Sequence, residues 1–285
     1  MSQNLTIWLL YRVSLYLIYI GEQRKEENGM YITDASTVVI EVTRRCNMCC
    51  AHCLRGDAQD LDIKSEYIDK FFDKFRPGAS IGTITFTGGE IALNLAAIWY
   101  TLEVVKRRNI NVYAFYMVTN GKDVSKMPEL ASVSLAWWAY CNASDYCEED
   151  YCGVAISGDE FHEDVDDDAY LILSGLNYFR KFDKKTDFSR TALINEGRAK
   201  GISSSAYQKS EPEDLYLDVT RVSKDLLDIS GASLYLNAKG NIVVGCDWSY
   251  ESQDERKATN VAESEDWPAD LLEHEYCEIE DRSMC

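Results

Sequence analysis

Residues 43–56, TRRCNMCCAHCLRG, carry four cysteines within eight residues: Cys46, Cys49, Cys50 and Cys53. Thiolates packed this densely repel one another unless a metal neutralises them. Cys46, Cys50 and Cys53 stand in a Cys-x3-Cys-x2-Cys spacing. A loop that short wraps one corner of a compact cluster and sets three sulfurs on three irons. An iron–sulfur cubane normally takes four thiolates, so three leave one iron open to a substrate or cofactor. Cys49 is then the odd thiol. The same residues also read as a zinc knuckle of two overlapping pairs, Cys46 with Cys49 and Cys50 with Cys53. Zinc sites usually separate their pairs by a longer loop, so that four ligands close a tetrahedron. Adjacent Cys49 and Cys50 do not easily both face one small ion, and the spacing favours the cluster.

A loop of this kind needs rigid elements to aim it. TVVIEV at 37–42 is β-branched and short, a first strand leading into the cysteines. SEYIDKFFDKF at 65–75 puts Tyr67, Ile68, Phe71, Phe72 and Phe75 on one helical face, ended by Pro77 and Gly78. IGTITFTGGE at 81–90 reads as a second strand and INVYAFYMVTNG at 110–121 as a third, with a long helix between them. A helix over 129–141 precedes a fourth strand in CGVAISGDEFH at 152–162. A helix over 169–182 precedes a fifth strand in RTALINEGRAKG at 190–201. This alternation predicts parallel βαβ units, in which ligands gather at the carboxyl ends of the strands.

The polar motifs all sit at those ends. In TGGE, Gly88 and Gly89 allow close backbone approach, and Glu90 sits at a helix start, where a plain strand-to-helix turn would also put it. Thr119, Asn120 and Gly121 form a turn signal of a generic kind. Ser157 and Asp159 alternate along an extended segment and point the same way. His162 lies between acidic neighbours, as loop histidines often do. Arg198 in EGRA serves either a carboxylate ligand or the surface.

Taken in this order, the cysteine loop after a strand and the GGE one βα unit later resemble the radical SAM superfamily. His52 stands where members often carry an aromatic residue before the last cysteine. The resemblance implies a partial (β/α)6 barrel of α/β class with a small C-terminal α+β extension. It implies a 4Fe-4S cluster on Cys46, Cys50 and Cys53, with S-adenosyl-L-methionine on its open iron. Gly88, Gly89 and Glu90 would hold the methionine amino end, and Asn120, Ser157, Asp159 and Arg198 the remainder of the cofactor. It further implies an electron donor such as flavodoxin or ferredoxin, and release of a 5′-deoxyadenosyl radical that abstracts hydrogen from a substrate.

SLYLNAKGNIVVGCDWSYE at 233–251 reads as two strands around Asn237–Gly240. It resembles the hairpin opening the SPASM or twitch extension of peptide-modifying members, and so favours a peptide or protein substrate. A small nucleotide-like molecule is the second reading, and a non-catalytic metal-binding module the third. Cys246 stands near an auxiliary ligand position, but only Cys277 and Cys285 follow it and no cysteine lies between 153 and 245, so that ligand set is incomplete. Cys141, Cys147 and Cys152 fall within twelve residues and read either as separate thiols or as a second cluster. EDWPADLLEHEYC at 265–277 reads as a last helix with Pro268 in its first turn.

The 285 residues, 46% of them hydrophobic, suffice for a large core. A net charge of −19, from 48 acidic against 29 basic residues, argues against nucleic-acid binding, which needs cations to neutralise phosphate. Ten cysteines without a persuasive secretion signal point to a reducing, cytoplasmic setting. Residues 5–20 are apolar but interrupted by Arg12, short of the ~20 residues of a spanning helix. They read as a buried or surface helix, a marginal anchor, or sequence upstream of a natural start at Met30. The expected organisation is an apolar extension and linker over 1–29, a barrel core over 30–210 and an extension over 211–285.

Overall fold

The computed structural model describes residues 29–144, 146–158, 161–162, 165–180, 192–203 and 208–281. The apolar run 5–20, most of the linker behind it, Asp159 and Cys285 lie outside the described residues.

The sheet is built on β1 (Tyr31–Thr43), whose last six residues are all buried. A strand covered on both faces in this way needs apolar residues without alternation, and Val38-Val39-Ile40 supplies them. β2 (Phe75–Gly88), β3 (Asn111–Thr119), β4 (Gly153–Ile156) and β5 (Phe179–Arg180) follow in parallel order on one side of β1. Their crossovers are α1 (Ser65–Phe72), α2 (Leu95–Arg107), α3 (Met127–Cys141) and α4 (Asp167–Leu173). Thr43, Gly88, Thr119 and Ile156, the last residues of β1 to β4, therefore share one edge of the sheet.

Three expected boundaries move. Helix α1 stops at Phe72, and Pro77–Gly78 falls inside β2. The β1–β2 register jumps between Ile32/Phe75 and Asp34/Ser80, so the extra residues bulge outward. Proline lacks a ladder donor and Gly78 has φ +88°, which suits both to a bulge. The helix expected over 169–182 ends at Leu173, and Phe179–Arg180 instead forms β5 beside β4. The segment expected as fifth strand gives only β6 (Ala192–Ile194), which pairs with β7 (Gln208–Ser210) in a separate two-stranded sheet. The place beside β4 is already taken by β5.

On the other side of β1 lie strands from the C-terminal third. β8 (Leu217–Ser223) and β9 (Leu226–Gly231) form a hairpin that the alternation pattern did not show. β9 pairs with the first half of β1, and β10 (Leu234–Leu236) with the second half, both in parallel. β10 and β11 (Asn241–Val244) make the expected hairpin, turned at Gly240 with φ +82°. β12 (Thr259–Asn260) and β13 (Cys277–Asp281) complete the pairing. α5 (Tyr250–Glu255) lies between β11 and β12, and α6 (Trp267–Leu272) between β12 and β13, the latter shorter than expected but with Pro268 in its first turn. Trp267 stacks on Phe71 of α1 at 5.1 Å and 3°, which joins the C-terminal segment to the main core. No helix among the described residues is long and apolar enough to cross a membrane.

Candidate functional site

The chain leaves β1 through Arg44, whose side chain is entirely buried. An unpaired guanidinium there would cost several kcal/mol. It is met by Glu41 Oε1 at 2.7 Å, Gln59 Oε1 at 3.1 Å, Gln253 Oε1 at 3.1 Å and Asp254 Oδ1 at 3.2 Å, and it lies 4.6 Å from the Tyr250 ring centre. Glu41 in turn accepts from Tyr235 Oη at 2.8 Å and from the Ala238 backbone at 3.0 Å. One buried polar network thus ties the root of the cysteine loop to the C-terminal hairpin and α5. Beside it, Arg45 grips Asp62 with two bonds, 2.9 and 2.7 Å, and donates to Leu93 O at 2.8 Å.

Glycines hold the loop from two sides. Gly89 N donates to Thr43 O at 2.9 Å and Glu90 N to Arg45 O at 2.8 Å, so these backbone donors are spent on the loop. A Cβ on Gly88 would stand 2.2 Å from Thr43 O, and one on Gly89 2.2 Å from Arg45 O and 3.0 Å from Cys46 Cβ. The close approach that the two glycines permit is therefore to the cysteine loop itself. From the opposite side, a Cβ on Gly197, at φ +53°, would meet Leu54 O at 2.3 Å and Cys53 O at 2.5 Å.

Cys46, Cys50 and Cys53 line one wall of a cavity of about 440 Å³ at the carboxyl ends of β1 to β4. Gly88, Gly89, Glu90, Asn120 and Ser157 line it as well, together with His52 and His162. Cys49 is exposed and forms no part of this wall. Burial pushes the Cys46 thiol up, although the Met48 N–H donates to it at 3.5 Å. Among the described residues no three His, Cys, Asp or Glu side chains converge as one metal ion requires. Thiolates of a cubane attach to different irons and need not meet at one point.

Glu90 is buried, and that burial raises its carboxyl from the usual range. It accepts from Thr119 Oγ1 and Asn120 N, each at 2.6 Å, and from Ala92 N at 2.9 Å. The GGE turn is thereby fastened to the end of β3. Asn120 Nδ2 donates to Asn47 Oδ1 at 2.8 Å and lies 3.8 Å from Cys46 Sγ. Ser157 N donates to Thr119 O at 2.8 Å, which sets the fourth strand end beside the third. His52 stacks on Phe161 at 4.8 Å and meets His162 edge-on at 5.0 Å, so three rings close that side.

Asp159 lies outside the described residues, and of the expected cofactor contacts within them Arg198 is the one placed elsewhere. It is absent from the cavity wall and reaches the back of the loop, with bonds to Cys49 Sγ at 2.9 Å and Cys50 O at 3.1 Å and an ion pair to Asp57 at 3.0 Å. Arg44 and Arg55 belong to the site without any local pattern that marks them, whereas Gly197 lies in the EGRA segment singled out for Arg198. Arg55 joins the cavity wall, donates to Trp248 O at 2.6 Å and lies 5.2 Å from the Tyr235 ring centre. Basic residues flanking a polar loop look like surface charges, and only the burial of their carbonyl and aromatic partners reveals otherwise.

No family model matches the chain. Over 72 residues it is 32% identical to a Bacillus subtilis (strain 168) protein whose provisional name is peptide biosynthesis protein YydG. That stretch covers 25% of this chain and 23% of the relative, so the match spans less than a quarter of the relative's length. A solved structure described as native anSMEcpe with bound AdoMet and Cp18Cys peptide aligns with 86% of this chain and 81% of its own. The TM-score is 0.46 and the identity 10%, a likeness too slight to establish a common fold.

Proposed function

We propose that this chain is a radical SAM enzyme that modifies a peptide or protein. The observation that carries the reading is the composition of one cavity: Cys46, Cys50 and Cys53 face it together with Gly88–Glu90, Asn120 and Ser157, while Cys49 is turned to the outside. The donor set fits a 4Fe-4S cluster with three protein thiolates and one iron left for S-adenosylmethionine. When bound, the reduced cluster and S-adenosylmethionine together supply a 5′-deoxyadenosyl radical for hydrogen abstraction.

The chain's own groups have distinct tasks in this reading. Cys46, Cys50 and Cys53 ligate. The glycines at 88, 89 and 197 let neighbouring backbone press against the loop and hold the three sulfurs in place. Glu90 acts by fixing Asn120, because its oxygens are engaged with Thr119, Asn120 and Ala92. Asn120 and Ser157 are left to face the cofactor, with Asp159 two residues further along the chain. Arg55 puts a half-buried cation at the cavity edge, suited to a carboxylate. The aromatic side at His52, Phe161 and His162 shields the site from water.

In this proposal residues 30–210 form the barrel-type core and 211–285 the substrate-side extension, joined through β9, β10 and the Arg44 network. The peptide substrate is supported by the likeness to a protein named for peptide biosynthesis and by the β10–β11 hairpin. The reductant would be a flavodoxin or ferredoxin, in a reducing cytoplasm.

The test is anaerobic reconstitution followed by addition of dithionite and S-adenosylmethionine. About four irons per chain and release of 5′-deoxyadenosine are expected. A colourless protein that holds zinc and releases nothing would overturn the reading.

A further inference from the structure

Away from the cavity, three thiols meet where α3 ends and β4 begins. Cys141 closes α3 and is 0% exposed, Cys152 immediately precedes β4 and is 1% exposed, and Cys147 between them is half-buried. Two successive turns bring the chain back on itself: Ser144 N donates to Cys141 O at 3.0 Å and Cys147 N to Ser144 O at 3.2 Å. Glu148 N then anchors to Tyr113 O on β3 at 3.0 Å. Cys141 and Cys147 each have the Cys152 thiol as a neighbouring titratable group, which makes Cys152 the common neighbour.

The three thiols are not equivalent. The hydrogen bond from Cys141 outweighs burial and, with help from Phe115 and Cys147, brings Cys152 down to about 7. Burial and the neighbouring Cys152 push Cys147 up to about 11, and Cys141 is raised as well. Neighbouring thiols of unequal acidity are the arrangement that thiol oxidation uses, since the more acidic one supplies the nucleophile. Cys152 also belongs to the wall of a cavity of about 300 Å³ bounded by Trp138, Tyr178 and Arg180, large enough for a peroxide. Among the described residues no three His, Cys, Asp or Glu side chains are placed to hold one metal ion, here or elsewhere.

We propose that Cys152 is the common partner of an oxidisable dithiol centre, and that peroxide joins it to Cys147 or Cys141 in an intramolecular disulfide. Two S–H bonds and the O–O bond of hydrogen peroxide break, and one S–S bond forms. The thiol hydrogens leave in two waters, the sulfur pair losing two electrons and the peroxide gaining them. β4 runs from this centre to Ile156, next to Ser157 in the wall of the larger cavity, so the bond would restrain the strand that carries that wall.

The test uses the purified full-length protein treated with stoichiometric hydrogen peroxide, alkylated with iodoacetamide and cut at glutamate. Glu148 and Glu149 separate the Cys152 peptide from the one that holds Cys141 and Cys147. The expected result is a linked peptide pair, two hydrogens lighter than the sum of its parts and abolished by dithiothreitol. In Cys152→Ser the linked pair disappears, while Cys141→Ser and Cys147→Ser each retain it. Recovery of Cys152 from the oxidised wild-type protein as an alkylated thiol, as a sulfinic acid, or linked to a cysteine outside this group would overturn the proposal. The wild-type map decides even if the serine variants fail to fold.

Discussion

Arg198 Nη1 donates to Cys49 Sγ at 2.9 Å, so the extra thiol of the cysteine loop is held by a cation on the side away from the cavity. The same side chain donates to Cys50 O and pairs with Asp57. A role for this arginine in holding the loop follows directly, without any contact to a cofactor.

Arg198→Ala should therefore loosen the loop. The group is partly exposed, so the loss is about 1 kcal/mol and roughly 2 °C in Tm. Iron retained after desalting should fall several-fold. Cys49→Ala should keep the cluster absorbance and 5′-deoxyadenosine release, whereas Cys46→Ala, Cys50→Ala and Cys53→Ala should each lose most of both. Loss of the cluster in Cys49→Ala with retention in Cys50→Ala would reverse the ligand assignment.

A methyl group at position 89 would stand 2.2 Å from Arg45 O. Gly89→Ala is expected to displace the loop and lose iron as well as affinity for S-adenosylmethionine. At Gly201 a Cβ would meet nothing within 4 Å, and Gly201→Ala is the control that should behave as wild type. Iron assay and equilibrium binding on both variants distinguish a damaged loop from a damaged cofactor surface. Normal iron content with weakened binding in Gly89→Ala would place the glycine's effect at the cofactor.

Arg44→Met would leave Glu41 as a buried carboxylate without its cation, and should cost about 3–5 kcal/mol. Denaturant unfolding of the apo-protein reads this, and a cost below about 1 kcal/mol would mean that the network relaxes.

Asp254 supplies a pH signature for the same network. Burial raises its carboxyl, but hydrogen bonds from Lys239 and Arg44 outweigh burial and hold it below the usual range. A depressed carboxylate contributes stability that is present above its unfolded pKa and lost as pH falls through its folded one. Asp254→Asn should accordingly lower Tm at neutral pH, with the difference shrinking to nothing below the ordinary aspartate range. A difference independent of pH would assign the effect to packing alone.

Trp267→Ala removes the ring stacked on Phe71 and should destabilise by about 3–5 kcal/mol. The whole chain should unfold in one transition at the lower midpoint. A separate early transition for the C-terminal segment would show that it folds as its own unit.

The candidate site was legible in the residues because cysteine spacing, paired glycines and strand-end polar residues are local patterns. Cys46, Cys50 and Cys53 share a wall with Gly88, Gly89, Glu90, Asn120 and Ser157 because parallel β-strands bring their carboxyl ends to one edge. Strand and helix types from β1 to β4 followed from periodicity for the same reason. What periodicity could not carry was anything set by a distant partner. Phe179–Arg180 became a strand because β4 offered a free edge, and Ala192–Ile194 paired with Gln208–Ser210 instead. β8 and β9 alternate too weakly to stand out, and are fixed by pairing with β1 and β13. Arg44, Arg55 and Arg198 carry equal charge in the sequence, yet one is buried in a polar network, one edges the cavity and one braces the loop from behind. The side chain's chemistry is local, whereas the cost of burying its charge depends on groups up to 210 residues away in the chain, and those meet it only when the sheet has formed.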